Sequence, residues 1–437
     1  MKVKTIYKCS NCAYQSGKWQ GKCPTCEQWN TIEEDTEVTS FKDRQQGKIV
    51  KTQNLHLYET DSQNTKVSTG ITELDLVIDG GFQPGSLVLM GGEPGIGKST
   101  LTLQISSAFI QNQLTVLYIS AEESINQVAN RGKRINADIA KIQFAQEYSV
   151  ENIVQTMQSL KPDLVVVDSI QLINSDNIAG MPGSISQVRM CTEILMEATK
   201  KMNTTTILVG HVTKDGNLAG PRVLEHLVDT VLQIEGDRNH EIRMLRSQKN
   251  RFGPTNEVGI FEMTSTGLKS LSNPSEKFLK DRPQNAIGSC LTCVLEGKRP
   301  LILEVQALTT KTSFGYPKRL ATGFDLNRLN MLIAVLQKHA RINLFTQDVF
   351  INVVGGFKIN DPAADLAVCS AICSSVKQIP MANNLVLLGE IGLTGEIRKS
   401  NQQDRRIKEV EKLNLRSGDE RSFNSKKIEA VLSNLFS

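Results

Sequence analysis

No stretch of this 437-residue chain forms a long apolar run. The first thirty residues, where a signal peptide or a leading membrane span would lie, are studded with lysines, cysteines and polar groups, so the cytosol is the expected compartment. Neither sign of charge dominates: 50 basic against 46 acidic residues leave a net +4, too little to demand a nucleic-acid partner and no obstacle to one. In a reducing compartment the nine cysteines are expected as thiols or metal ligands, not disulfides. What is present, 39% hydrophobic and 22% charged residues, is ordinary for a globular protein, and the length gives room for two or three domains with cores of their own.

The chain is organised around Gly92-Glu93-Pro94-Gly95-Ile96-Gly97-Lys98-Ser99-Thr100, which fits G-x-x-x-x-G-K-[ST]. Ser86–Met90 before it reads as a buried strand, and residues 101–110 after it read as an apolar helix. In such a turn the glycines let backbone N–H groups close around phosphates and Lys98 reaches the outer ones. Ser99 or Thr100 offers a hydroxyl to Mg²⁺ at the positive end of the helix. ATP is the expected ligand.

Two later apolar runs end in acids. Leu114–Ile119 leads to Glu122 and Glu123, where a carboxylate can polarise a water beside the γ-phosphate; Glu122 is the candidate and Glu123 its rival, while an ordinary helix start would favour acids there too. Leu164–Val167 delivers Asp168, the Walker B pattern, to hold Mg²⁺ directly or through water. Thr205–Gly210 forms a further strand, with His211 at its end as either a γ-phosphate sensor or a structural histidine. Glycine-rich polar segments at 174–187 and 213–222 are expected to leave the same edge of the sheet. There Arg189, Lys214 and Arg222 either hold the phosphates of a nucleic-acid strand or decorate surface loops.

At the N-terminus, Cys9-x₂-Cys12 and Cys23-x₂-Cys26 have the spacing of a structural four-thiolate Zn²⁺ site over residues 1–30, with a thiol redox pair as the alternative. Lys18, Trp19, Lys22 and Trp29 suit contact with a nucleic acid or a protein, but the tryptophans are read as a small hydrophobic plug. Residues 31–66, acidic and then polar, read as a linker into an ATPase domain at 67–270. A second linker at 271–286 precedes a domain at 287–437.

These features, with Lys249-Asn250-Arg251-Phe252-Gly253, resemble the bacterial RadA (Sms) DNA repair family over essentially the whole chain. That resemblance implies an α/β fold: a RecA-like P-loop ATPase core, a zinc-ribbon-like module and a C-terminal Lon-protease-like α+β domain, closest over about 348–437. It also implies a hexameric, DNA-dependent ATPase that drives branch migration of recombination intermediates on single-stranded DNA, with a RecA-type recombinase as a partner. Glu122 then matches the catalytic glutamate and His211 the residue reporting nucleotide state. Lys249 and Arg251, two cations alternating along an extended segment, act as arginine-finger-like groups in a neighbouring subunit's site, or form a basic strand surface.

In the protease-like part, Ala363 stands where a nucleophilic serine is expected and has no hydroxyl to attack a peptide carbonyl, so peptidase chemistry is not expected. That domain is read as an assembly platform and DNA-binding surface, with Lys318, Arg319, Arg328 and Arg341 as phosphate contacts. A non-motor nucleotide switch that binds a protein partner is the competing reading.

Overall fold

The computed structural model describes residues 3–9, 14–38, 66–210, 222–236, 240–313 and 315–437. His211, Lys214 and Cys12 lie outside them, and so does the side chain of Arg222. The cysteine module belongs to one compact unit and the ATPase core to another. It is a three-stranded sheet in which β1 (Val3–Cys9) is flanked by β2 (Gln15–Ser16) and β3 (Ile32–Val38). The expected linker therefore begins too early: Glu33–Glu37 is strand, each residue registered against β1 through backbone hydrogen bonds that the polar composition did not advertise.

The ATPase core opens with α1 (Thr72–Val77), β4 (Leu87–Gly92), α2 (Lys98–Gln111) and β5 (Val116–Ser120). It continues through α3 (Ile125–Arg134), β6 (Gln143–Gln146), α4 (Val150–Leu160) and β7 (Leu164–Asp168). α5 (Ile185–Met202), β8 (Thr205–Val209), α6 (Arg222–Leu227) and β9 (Thr230–Glu235) complete the parallel part. β10 (Ile242–Asn250), β11 (Val258–Thr264) and β12 (Gly267–Ser270) extend the sheet antiparallel, giving the order β12-β11-β10-β9-β4-β8-β7-β5-β6.

The central strands are buried on both faces, so they read as continuous apolar runs instead of alternating ones. Val88, Met90, Tyr118, Val166 and Ile207 feed one core, and Leu87, Leu89, Ile119, Val167 and Leu208 the other. Because β4, β5, β7 and β8 are parallel, their C-terminal ends share one edge, and that edge carries the phosphate loop.

Residues 271–286 are not a plain linker. Pro274 opens α7 (Pro274–Lys280), where its fixed φ suits a first helical turn, and Ser275 Oγ within it accepts from Ile302 N at 3.0 Å. The remainder is a six-stranded mixed sheet, with β13 (Ser289–Glu296), β14 (Arg299–Lys311), β15 (Arg319–Thr322), β16 (Gln347–Val353), β17 (Leu385–Leu387) and a last strand at Arg416–Gly418. The helices α8 (Leu326–His339) and α9 (Asp365–Lys377) build its main core. On β13, Cys290 and Cys293 are buried in different clusters, on opposite faces of the strand, and burial pushes both thiols up to about 12.

A buried ion pair ties this sheet to the ATPase core. The Arg299 guanidinium meets the carboxylate of Glu73, which also accepts from Ile260 N at 2.8 Å. Arg299 donates as well to the carbonyls of Val258, Leu271 and Ser272. With each partner's charge and lone pairs satisfied, the desolvation of both groups is offset where neither alone would tolerate it.

Candidate active site and metal centre

Strand, loop and helix are as the motif requires. Gly97 sits at φ +118°, where its missing side chain also leaves room for Met263: an added Cβ would lie 2.6 Å from that methyl group. Ile96 is buried in the core and anchors the loop from below, whereas Glu93, Pro94 and Gly95 form its exposed crest. Lys98 is 4% exposed and donates to the carbonyls of Gly92 at 2.9 Å and Glu93 at 3.0 Å. Burial lowers its pKa, while the charges of Asp168 and Glu122 act the other way, so these three side chains share one electrostatic environment.

Asp168 ends β7 and is 5% exposed. Its carboxyl is raised by burial and held down by hydrogen bonds from Ser99 and Tyr118, with Glu122 and Glu123 raising it again. Ser99 at the start of α2 and Asp168 at the end of β7 thus meet as a pair of hard oxygen donors, suited to Mg²⁺. Thr100, the other candidate hydroxyl, is half-buried.

Tyr118 was not legible as a site residue. It lies inside the apolar run of β5, yet its hydroxyl donates to Asp168 Oδ2 at 3.0 Å and stands 3.5 Å from Thr102 Oγ1. Burial first, and then the Asp168 charge, drive its pKa well up, which keeps it a donor. Glu122 and Glu123 separate here. Arg131 on α3 grips Glu123 with both terminal nitrogens, at 2.5 and 2.6 Å, so that carboxylate is committed to an ion pair, while Glu122 is exposed and faces Lys98 and Asp168 electrostatically. An arginine eight residues past Glu123, on the helix that follows, was the available signal for that role.

Lys249 and Arg251 are far from this edge, as strand register makes plain. Asn250 pairs with Thr230, Thr230 with Val88, and Ile234 with Gly92, so Asn250 is level with the start of β4 and the phosphate loop with its end. At about 3.3 Å per residue that separation is roughly 13 Å along the strands. Lys249 Nζ donates to the carbonyls of Glu225, within α6, and Val228, just past its end, at 2.7 and 2.9 Å. Arg251 Nη1 reaches the buried Asp229 at 3.1 Å, with half of its own side chain exposed.

The other basic candidates are mostly engaged. Arg189 lies on α5, which begins at Ile185 within the segment read as a loop, and pairs with Glu193 one turn on at 2.9 Å. Arg328 is not an open phosphate contact: it is bound to the fully buried Asp365, whose carboxylate it neutralises, and donates to Ile391 O. Arg319 is likewise turned onto the carbonyls of Lys318, Leu344 and Gln347, and burial lowers its pKa. Arg341 is mostly exposed with Glu429 at 3.9 Å, and Lys318 is exposed.

Ala363 is 2% exposed in a 3₁₀ turn. Next to that turn Arg406, the largest fully buried side chain among the described residues, donates to Asp361 Oδ2 and to the Cys293 carbonyl, both at 2.6 Å.

In the N-terminal module the sulfurs of Cys9, Cys23 and Cys26 lie within 4.8 Å of one another, with Cys9 and Cys26 at 3.6 Å. Thiolates about 2.3 Å from a tetrahedral Zn²⁺ stand roughly 3.8 Å apart, so the residues present fit that ion. The plug reading of the tryptophans is wrong: Trp19 is 61% and Trp29 70% exposed, because the module's small interior is filled by Tyr7, Tyr14 and the cysteines.

No described helix is long and apolar enough to cross a membrane. A family model for an AAA domain matches residues 55–217, and one for a rubredoxin metal-binding domain matches residues 7–34. DNA repair protein RadA of Halalkalibacterium halodurans is 45% identical over 94% of this chain and 91% of its own. DNA repair protein RadA of Bacillus subtilis has the same identity and coverage. Among solved structures, one ATPase domain aligns with 50% of this chain and 95% of its own at 17% identity and a TM-score of 0.43. A metal-binding module ahead of a P-loop ATPase core, and near-complete coverage at that identity, lead to one conclusion: the chain belongs to the family of DNA repair protein RadA.

Proposed function

We propose that this protein is a DNA-dependent ATPase that works as a homohexameric motor in the bacterial cytosol, moving the branch points of recombination intermediates on single-stranded DNA alongside a RecA-type recombinase. The observation that carries it is the placement of Lys249 and Arg251 at the sheet edge opposite their own phosphate loop. Groups of this kind stabilise transferring phosphates in ring motors, and from that edge they serve only another subunit's nucleotide.

Within one subunit, Lys98 and the loop backbone bind the ATP phosphates, Ser99 and Asp168 hold Mg²⁺, and Glu122 orients the attacking water. Bound Mg²⁺ supplies charge neutralisation at the β- and γ-phosphates. Asp168 is kept in place by Tyr118, and Glu123 anchors α3 through Arg131 instead of entering the reaction. His211 follows β8 as a sensor of nucleotide state. Zn²⁺ on Cys9, Cys12, Cys23 and Cys26 is structural. The C-terminal domain is a non-proteolytic assembly platform, its protease-like position filled by Ala363 beside the Arg406–Asp361 pair.

The test is a mixing experiment on steady-state ATP hydrolysis with single-stranded DNA. Lys98→Ala and Arg251→Ala are each expected near background. Mixed rings regain turnover, because a Lys98→Ala subunit still lends its Arg251 to an Arg251→Ala neighbour with an intact loop. No recovery on mixing, in rings shown to exchange subunits, sinks the trans assignment. Turnover of the wild type indifferent to DNA favours a nucleotide switch instead of a motor.

A further inference from the structure

The cysteine module carries an aromatic surface that neither its metal nor its small core explains. Trp19 and Trp29 converge on Gly21: where a Cβ would sit on that glycine, the Trp19 ring lies 3.6 Å away and the Trp29 ring 3.7 Å away. The two indoles therefore border one spot on the surface, over a residue that has no side chain of its own. Both stay more than half exposed, although a water-soluble surface ordinarily hides so large an apolar ring.

Their positions are set by the knuckle between them. Lys22 and Trp29 form an antiparallel bridge, and Asn30 N donates to Gly21 O at 3.0 Å. Cys23 N donates to Gln28 O at 3.0 Å, and the Cys23 and Cys26 sulfurs belong to the metal cluster. A rigid turn thus presents two flat rings without paying to order them on binding.

Charge points to the kind of ligand. The module as a whole is not basic, since its five lysines are matched by Glu27 and the four acids of β3, but the 17–30 segment that carries both rings holds Lys18 and Lys22 against Glu27 alone. Lys18 and Lys22 are exposed on either side of Trp19. Glu27 sits 3.4 Å from Lys22 and is itself largely solvated, so it screens that lysine only weakly. Flat exposed rings interleaved with lysines match bases and phosphates alternating along a single strand. In a duplex the bases offer no open face to such rings.

We propose that Trp19 and Trp29 form a base-stacking site for single-stranded DNA, with Lys18 and Lys22 on the flanking phosphates. The site is separate from the ATPase machinery and does not depend on hydrolysis.

The chain's only two tryptophans are both here, so tryptophan emission of the full-length, metal-loaded, nucleotide-free protein, excited to the red of tyrosine absorption, reports on this surface. A 20-nucleotide oligo-dT is expected to quench the emission saturably, and an abasic strand of the same length and charge to quench it at least fivefold more weakly. Trp19→Ala, followed by Trp29 emission, weakens that oligo-dT titration by roughly five- to a hundredfold, the range expected for one lost stack. Trp19→Phe restores most of the affinity. Bound zinc is measured in each variant, and Lys18→Gln with Lys22→Gln, which leave the knuckle intact, should flatten the salt dependence.

Equal quenching by the abasic strand, or an unchanged titration in Trp19→Ala with its zinc retained, overturns the stacking site. Emission indifferent to oligo-dT overturns the proposal in favour of a protein partner for these rings. Because no nucleotide is present and the readout excludes the ATPase core, failure here leaves the motor reading untouched, and failure of the motor reading leaves this one.

Discussion

Replacing Tyr118 with phenylalanine removes one hydroxyl and keeps the ring in its core position, parallel to Phe144 with centroids 6.4 Å apart. Thr102 Oγ1 is not orphaned, since it also donates to Ser99 O at 3.2 Å. The loss falls on Asp168, which is 5% exposed and has little water to replace the phenol. A hydrogen bond to a charged group contributes about 1.5–3 kcal/mol, and an oxygen left without one in a buried site costs a similar amount. If roughly half of that holds Asp168 in the orientation that Mg²⁺ needs, the loss in metal binding is near 1 kcal/mol, or about fivefold. The assay is a fluorescent-ADP titration across Mg²⁺ concentrations, beside ATP hydrolysis and thermal unfolding. The Mg²⁺ midpoint should rise about four- to thirteenfold in Tyr118→Phe, while affinity in excess chelator, which rests on Lys98 and the loop backbone, stays the same. An unchanged Mg²⁺ midpoint alongside lower stability makes Tyr118 merely structural. Equal losses with and without Mg²⁺ mean that the loop itself has collapsed.

The two adjacent glutamates should part in a second comparison. Glu122→Gln is expected to abolish hydrolysis while retaining ATP binding. Glu123→Gln should keep turnover within a few-fold and lower stability by about 1 kcal/mol, since its pair with Arg131 is only partly buried; the reverse pattern would exchange their roles. A third prediction concerns thiols. Cys191, Cys290, Cys293 and Cys373, all pushed up to about 12 by burial, should resist a disulfide reagent at pH 8 in the native protein. Chelation of the metal should expose only the N-terminal cysteines, as counted by thiol titration, and fast reaction of the buried set before unfolding would contradict the packing.

What the sequence determined by itself was local. The phosphate loop, the apolar runs of β4, β7 and β8 and the paired cysteines declare themselves because backbone hydrogen bonding and strand or helix periodicity act over a few residues. Chemistry that depends on one loop's shape is written in that loop. The tertiary structure decided whatever joins distant segments. Tyr118 and Asp168 are 50 residues apart and Glu73 and Arg299 are 226 apart, and each pair forms only because strand order sets the partners side by side. Register put Lys249 and Arg251 at the edge away from their own loop, a fact no spacing in the chain records. The acidic segment Glu33–Glu37 became part of β3 because an edge of β1 was there to pair it, and Arg328 turned inward because Asp365 needed a counter-charge. A carboxylate or a guanidinium looks the same in a sequence whether solvent or a buried partner faces it, and only packing makes that choice.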